Sequence, residues 1–269
     1  SSSSPDPLFP PADSFPLAVA SWLSVSSRIC WRCGWYLCLA PPQEKVQQHT
    51  KLAVALGMRY GSGSIKEGLQ ELHDKGVDEV LLVPLYPHYA MSSYETVVVK
   101  ALEQQKIYFP KMHITTMPAF YKNASYIKVL SKSIADGLEG FEYDHILFSY
   151  HGIPERHIRK SDPTKFHCKI DGSCCKVNSV AHHTCYRHQC YDTTELVKAY
   201  LGLPEEKVSS SFQSRLAGDP WLKPYTDYEF ERFPKEGKKR RRDAEISAQR
   251  RKALFLQRAS SGFDRVSRA

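Results

Sequence analysis

From about Gln43 to Gln213 short apolar runs alternate with amphipathic stretches, and turn residues separate them. Leu52 to Leu56 reads as a strand. Ser64 and Glu67 then form a capping box that opens a helix, with Leu69 and Leu72 on its inner face and Gly76 closing it. Glu79 to Leu85, EVLLVPL, is a buried strand that Tyr86-Pro87 turns outward. Ser92 and Glu95 repeat the capping box ahead of a helix running to about Lys106, and Met112 to Met117 is the next strand. Asn123 caps a helix with Ile127, Leu130, Ile134 and Leu138 on one face, and Gly140 ends it. Asp144 to Tyr150 is a strand around Ile146, Leu147 and Phe148 that breaks at His151-Gly152. Thr193 to Leu201 reads as a helix and Lys207 to Gln213 as a strand.

Strands near residues 80, 113 and 145 separated by helices are βαβ units, which imply a parallel sheet. The fold class is therefore doubly wound α/β. In such sheets ligands bind outside the carboxyl ends of the strands, which is where His151 falls.

The flanks read differently. Residues 1–41 begin Ser/Pro-rich and suit a disordered or atypical leader. Cys30, Cys33 and Cys38 are spaced like part of a zinc site but lack a second ligand pair nearby, and read as incidental. The apolar stretch from Phe15 to Ala40 is interrupted by Arg28 and Arg32, so it falls short of the roughly 20 residues a membrane helix needs.

The formal charge of +8 is local: Lys235 to Ala269 holds 12 Lys/Arg against 4 Asp/Glu, and the rest of the chain has 25 of each. The body is neutral, which argues against nucleic-acid binding and leaves residues 229–269 as a basic, disordered tail. Eight cysteines in 269 residues are too sparse for a disulfide scaffold and point to a reducing, cytoplasmic setting.

Five of those cysteines and five histidines follow His151 closely. Cys168, Cys174, Cys175, Cys185 and Cys190, spaced C-x5-C-C-x9-C-x4-C, can give four thiolates to a [2Fe–2S] cluster or to zinc, with one to spare. Reduced structural thiols are the third reading. His151 can act as a base and metal ligand near neutral pH, because an unperturbed imidazole titrates near 6.5.

SYHGIPERH (Ser149 to His157), CYRHQC (Cys185 to Cys190) and FQSRLAGDPWLKPYT (Phe212 to Thr226) resemble signature blocks of the ferrochelatase family. MRYGSGSI (Met58 to Ile65) and LVPLYPHYAMSSYET (Leu82 to Thr96) resemble its earlier porphyrin-pocket loops, so the resemblance covers about Gln43 to Tyr228. It implies a chelatase-like fold of two similar Rossmann-like halves, and insertion of Fe2+ into protoporphyrin IX to give protohaem. His151 would be catalytic and would bind the substrate iron, while Arg59, Tyr60, Tyr89, Met91, Ser214 and Arg215 would contact the porphyrin. Some family members carry a [2Fe–2S] cluster. Cys168, Cys174 and Cys175 are its first candidate ligands here, with Cys185 and Cys190 competing for the fourth place. Peripheral membrane contact is compatible with this reading. A chelatase using coproporphyrin or cobalt, and a non-catalytic tetrapyrrole- or metal-binding remnant, are the alternatives.

Two departures accompany the resemblance. Residues 1–41 stand where the family has a strand and a glycine-containing loop, and no residue matches the glutamate that the family places beyond the FQSR block. The expected organisation is thus a leader (1–41), a first α/β half (42–150), a cysteine-rich loop with a partial second half (151–228) and the basic tail (229–269).

Overall fold

The computed structural model describes residues 18–23, 46–47, 49–60, 63–216, 218–238 and 241–245. The chain divides into two compact units, Ser1–Leu85 with Glu95–Pro118 and Tyr86–Tyr94 with Ala119–Ala269.

The first unit is a parallel sheet of β1 (Ala18–Leu23), β2 (Val54–Met58), β3 (Glu79–Pro84) and β4 (His113–Thr116), in the order β2-β1-β3-β4. Its helices are α1 (Ile65–Asp74) and α2 (Thr96–Tyr108). The capping box at Ser64 forms as expected: its hydroxyl accepts from the Glu67 N–H at 3.3 Å, and Glu67 Oε2 accepts from the Ser64 N–H at 2.6 Å. Leu69 and Leu72 are fully buried beneath it. The second expected box does not form. Met91–Glu95 is a π-helical turn, and α2 begins at Thr96 with no side-chain cap at Glu95. The wider turn takes Ser92 and Glu95 into the coil instead of leaving Ser92 ahead of it.

The leader expectation is corrected at residues 18–23. AVASWL forms β1, which runs parallel between β2 and β3. Its apolar run is of strand length, but the Ser/Pro-rich residues before it masked the signal. Cys30, Cys33 and Cys38 lie outside the described residues.

The second unit contains α3 (Ala124–Leu138), β5 (His145–His151), α4 (Glu155–Lys160), α5 (Tyr186–Leu201), β6 (Val208–Gln213), α6 (Thr226–Lys235) and β7 (Arg241–Glu245). Its three strands are parallel in the order β6-β5-β7. Asn123 caps α3, its Oδ1 accepting from the N–H of Ser125 at 3.0 Å and of Tyr126 at 3.2 Å. Helix α5 starts earlier than its apolar pattern indicates, because its buried face includes Arg187, Gln189, Thr193 and Thr194 beside Tyr186, Cys190 and Val197.

The tail expectation is corrected as well. Thr226, Glu229 and Phe233 form the buried stripe of α6, and residues 241–245 pair with β5. Dense charge in this region hid a three-to-four-residue period carried by one Phe and two polar residues. Among the described residues no helix is long and apolar enough to cross a membrane.

Candidate functional site

Residues His145 to Tyr150 of β5 are all buried, and His151 at its end is half-buried. In the β5–β6 register Tyr150 lies beside Phe212 and His151 beside Gln213, so the SYHG and FQSR blocks meet at one strand end. The His151 ring donates from Nδ1–H to the Gly152 carbonyl at 2.7 Å. A carbonyl can only accept, so this bond selects the neutral tautomer that leaves a lone pair on Nε2. The Tyr186 hydroxyl donates to the His151 carbonyl at 2.7 Å, fixing the backbone from the other side.

Gly152 is needed for close approach. Its N–H donates to the Gln213 carbonyl at 2.7 Å, and a Cβ would stand 2.8 Å from that oxygen and 3.3 Å from the Trp221 ring. The residues after FQSR return alongside: Leu222 N–H donates to the Ile153 carbonyl at 3.1 Å, and Phe212 N–H to the Pro224 carbonyl at 2.8 Å. At the head of α6 the Thr226 hydroxyl is bonded to Ser149 at 3.1 Å and to Ser211 at 2.8 Å, tying β5 to β6.

Tyr89 and Met91 belong to the same unit, on the segment 86–94, and both are half-buried. The Tyr89 N–H donates to Gln189 Oε1 at 2.7 Å, anchoring this loop to α5. Ser214 and Arg215 follow β6 at the same sheet edge as His151 and are exposed. Ser214 holds a positive φ of 67°, and the Arg215 guanidinium lies over the rings of Tyr225 and Tyr228 and pairs with Asp227 at 2.9 Å. Arg59 and Tyr60 lie in the first unit just beyond β2, with the guanidinium 4.7 Å from the Tyr60 ring centre.

Sequence reasoning passed over His88. It is buried, bonded through Nε2 to Thr193 Oγ1 at 2.9 Å, and in edge contact with the rings of Tyr150 and Tyr186. Burial lowers its pKa to about 3, so it is neutral at any physiological pH. Its place among Tyr86, Tyr89 and Ala90 was the available signal.

The five cysteines from Cys168 to Cys190 are all free thiols. Those of Cys168 and Cys175 both hydrogen-bond to Cys185. Cys174 Sγ accepts from the Lys169 N–H at 3.2 Å and the Arg187 guanidinium at 3.5 Å. Cys190 stands apart on the buried face of α5, bonded to the Tyr186 hydroxyl. Burial and the nearby Asp162 carboxylate push the Cys168 thiol up to about 11. The bond to Cys185 and burial raise Cys175 as well. Among the described residues no three His, Cys, Asp or Glu side chains form a ready-made metal cage. A thiolate centre would displace their protons on binding.

The model of the ferrochelatase family matches residues 41–241. A ferrochelatase of Opitutus terrae is 48% identical over 187 residues, 70% of this chain and 54% of that protein. The chain belongs to the ferrochelatase family. A ferrochelatase of Stutzerimonas stutzeri is 39% identical over 201 residues, 74% of this chain and 58% of its own. The chain thus spans about half the length of the curated ferrochelatases it matches. In fold it resembles SirB from Bacillus subtilis, solved with Fe3+, with a TM-score of 0.53 and 13% identity over 81% of this chain and 71% of that one. That likeness agrees with the chelatase-type α/β architecture expected from the sequence.

Of the expected ferrochelatase residues, the second unit thus places Ser214 and Arg215 at the sheet edge of His151. It also holds Tyr89 on a loop whose neighbour His88 packs on Tyr150. Arg59 and Tyr60 belong to the other unit.

Proposed function

We propose that this chain carries the histidine-bearing part of a ferrochelatase site and inserts ferrous iron into protoporphyrin IX, a lyase reaction run in reverse that joins nitrogen to metal. The observation that carries the reading is the His151 tautomer: Nδ1–H is committed to the Gly152 carbonyl, so Nε2 offers its lone pair. Such a nitrogen can take a pyrrole proton or hold the incoming cation, and the ladder of β5 and β6 fixes its position. Tyr89 and Met91 supply an aromatic face and a soft apolar side chain for the macrocycle, and Ser214 and Arg215 supply polar contacts to its carboxylates.

The cysteines fit a [2Fe–2S] cluster held by Cys168, Cys174, Cys175 and Cys185. Three of these thiols meet at Cys185, the fourth adjoins Cys175 in sequence, and Cys190 is engaged elsewhere. Bound there, the cluster would supply a rigid cross-link to the segment. Metal insertion itself transfers no electron, so its role is structural.

The test is insertion of Zn2+ into protoporphyrin, followed by porphyrin fluorescence, in the parent and in His151→Ala. The variant should still bind porphyrin but lose on the order of 10²- to 10⁴-fold in rate. A parent that binds porphyrin and inserts metal no faster than buffer would make the chain a binding remnant. An active parent matched by His151→Ala would remove this histidine from the chemistry.

A further inference from the structure

Arg187, the second residue of α5, is a cation in an unusual setting. It is only 2% exposed, and no carboxylate among the described residues forms an ion pair with it. The Asp171 carboxylate on the loop lies within Coulombic reach but is exposed, and a buried guanidinium costs several kcal/mol unless something anionic faces it directly. Its neighbours are the cysteine loop itself. Nη1 donates to the Ile170 carbonyl at 2.5 Å, and Nη2 donates to the Lys169 carbonyl and lies 3.5 Å from Cys174 Sγ. The guanidinium also hydrogen-bonds to Cys175. Gly172, in the left-handed region at φ 82°, lets the loop fold over the guanidinium, whose central carbon would be 3.6 Å from a Cβ there.

The remaining donor is the informative one. Arg187 Nε is buried with no hydrogen-bond partner. Buried N–H groups are nearly always satisfied, so an orphan beside sulphur ligands marks a place for an acceptor. Two imidazoles complete the frame, His167 and His188 each donating to the carbonyl of Cys174 or Cys175 at 3.2 Å. The loop's own carbonyls are thereby occupied by donors, and the free N–H and the positive charge are left for anionic sulphur.

We propose that Arg187 is the counter-charge and hydrogen-bond donor of the cysteine centre: it holds the loop bearing Cys174 and Cys175 and directs its N–H groups at the sulphurs. The assignment rests on the cluster reading above, and it makes Arg187 a positioning residue for that centre and not for porphyrin chemistry. Hydrogen bonds and positive charge at the sulphurs favour the reduced, more negative state of an iron–sulphur centre.

The test uses the full chain, purified anaerobically, with iron and acid-labile sulphide measured alongside the midpoint potential. Arg187→Gln should retain the centre with a reduction equilibrium at least tenfold less favourable, a downward shift of about 59 mV for one electron, or should lose the centre altogether. Arg187→Lys, which keeps the charge, should retain it with a smaller shift. Unchanged potentials in both variants would overturn the proposal. Should both variants fail to fold, the parent decides: chain labelled with 15N-arginine should show nitrogen coupling to the reduced centre by pulsed electron paramagnetic resonance. A centre without that coupling would overturn the role of Arg187 alone. A parent without iron and sulphide would overturn the cluster and this role with it.

Discussion

Along β5 every residue from His145 to Tyr150 is buried, and strands pair with both of its edges. Between Ser161 and Cys185 the chain makes only short 3-10 turns, at Ser173–Lys176 and Val180–His183, and side chains hold it in place. Asp162 accepts from the N–H groups of Thr164 and Cys168, Thr184 donates to the Ser161 carbonyl, and Arg187 gathers the carbonyls of Lys169 and Ile170. His151 thus rides on a backbone ladder that needs no ligand, whereas the thiols ride on a polar network that the proposed centre would complete. The first arrangement gives positional precision at no cost in occupancy. The second couples local order to loading.

Three experiments sharpen or break that contrast. The largest effect is expected on acidification. His88, packed on the Tyr150 end of β5, has a folded pKa of about 3 against an ordinary 6.5, because burial disfavours its cation. The unfolded chain takes up this proton first, so the contribution is fully present above pH 6.5 and is lost as pH falls toward 3. By pH 4 it amounts to about 3 kcal/mol. His145, lowered to about 4 by burial and by Lys238 and Arg232, adds in the same direction. Denaturant unfolding of His88→Phe should therefore show a flatter loss between pH 6.5 and 4 than the parent; parallel curves would mean that β5 is not what acid attacks.

Next comes Gly152→Ala. The added methyl would meet the Gln213 carbonyl and the Trp221 ring, and overpacking of this kind costs about 2 kcal/mol. Thermal unfolding should register the loss, and insertion activity should fall further than stability accounts for, because the clash lies next to His151. An alanine variant as stable as the parent would show that the strand end has room to yield.

The smallest effect concerns loading. Stripping the proposed centre with an iron chelator should reduce amide-exchange protection in residues 161–190 by about tenfold, about 1.4 kcal/mol, and leave residues 145–150 unchanged. Equal loss in both regions would erase the distinction.

The ladder was largely legible from sequence. Ile146, Leu147 and Phe148 announce a strand, and the capping residues Ser64 and Asn123 mark two helix starts to the residue. Less visible were elements whose buried faces are polar. The first turns of α5 bury Arg187 and Gln189, and α6 buries Glu229 and Thr226, so apolar periodicity could not report them. The placement of His151 at the sheet's carboxyl edge followed from its own strand. The choice of Cys185 over Cys190 beside Cys168 and Cys175 did not, because Cys185 precedes α5 and Cys190 lies inside it, a difference of helix phase that spacing alone does not encode.

The strand order of the second sheet also dictates when that sheet can be made. Strand β5 leaves the ribosome with neither neighbour: β6 follows only after the whole cysteine segment and α5, and β7 only after α6. Parallel pairing across such separations is slow, and an apolar strand waiting for both edges is the kind of nascent segment that chaperones cover. In the first sheet, by contrast, β2 can dock on β1 as soon as it emerges, with β3 following after a single helix. Synthesis therefore offers the cell a half-built molecule in which β5, the strand that ends at His151, is the last to be enclosed.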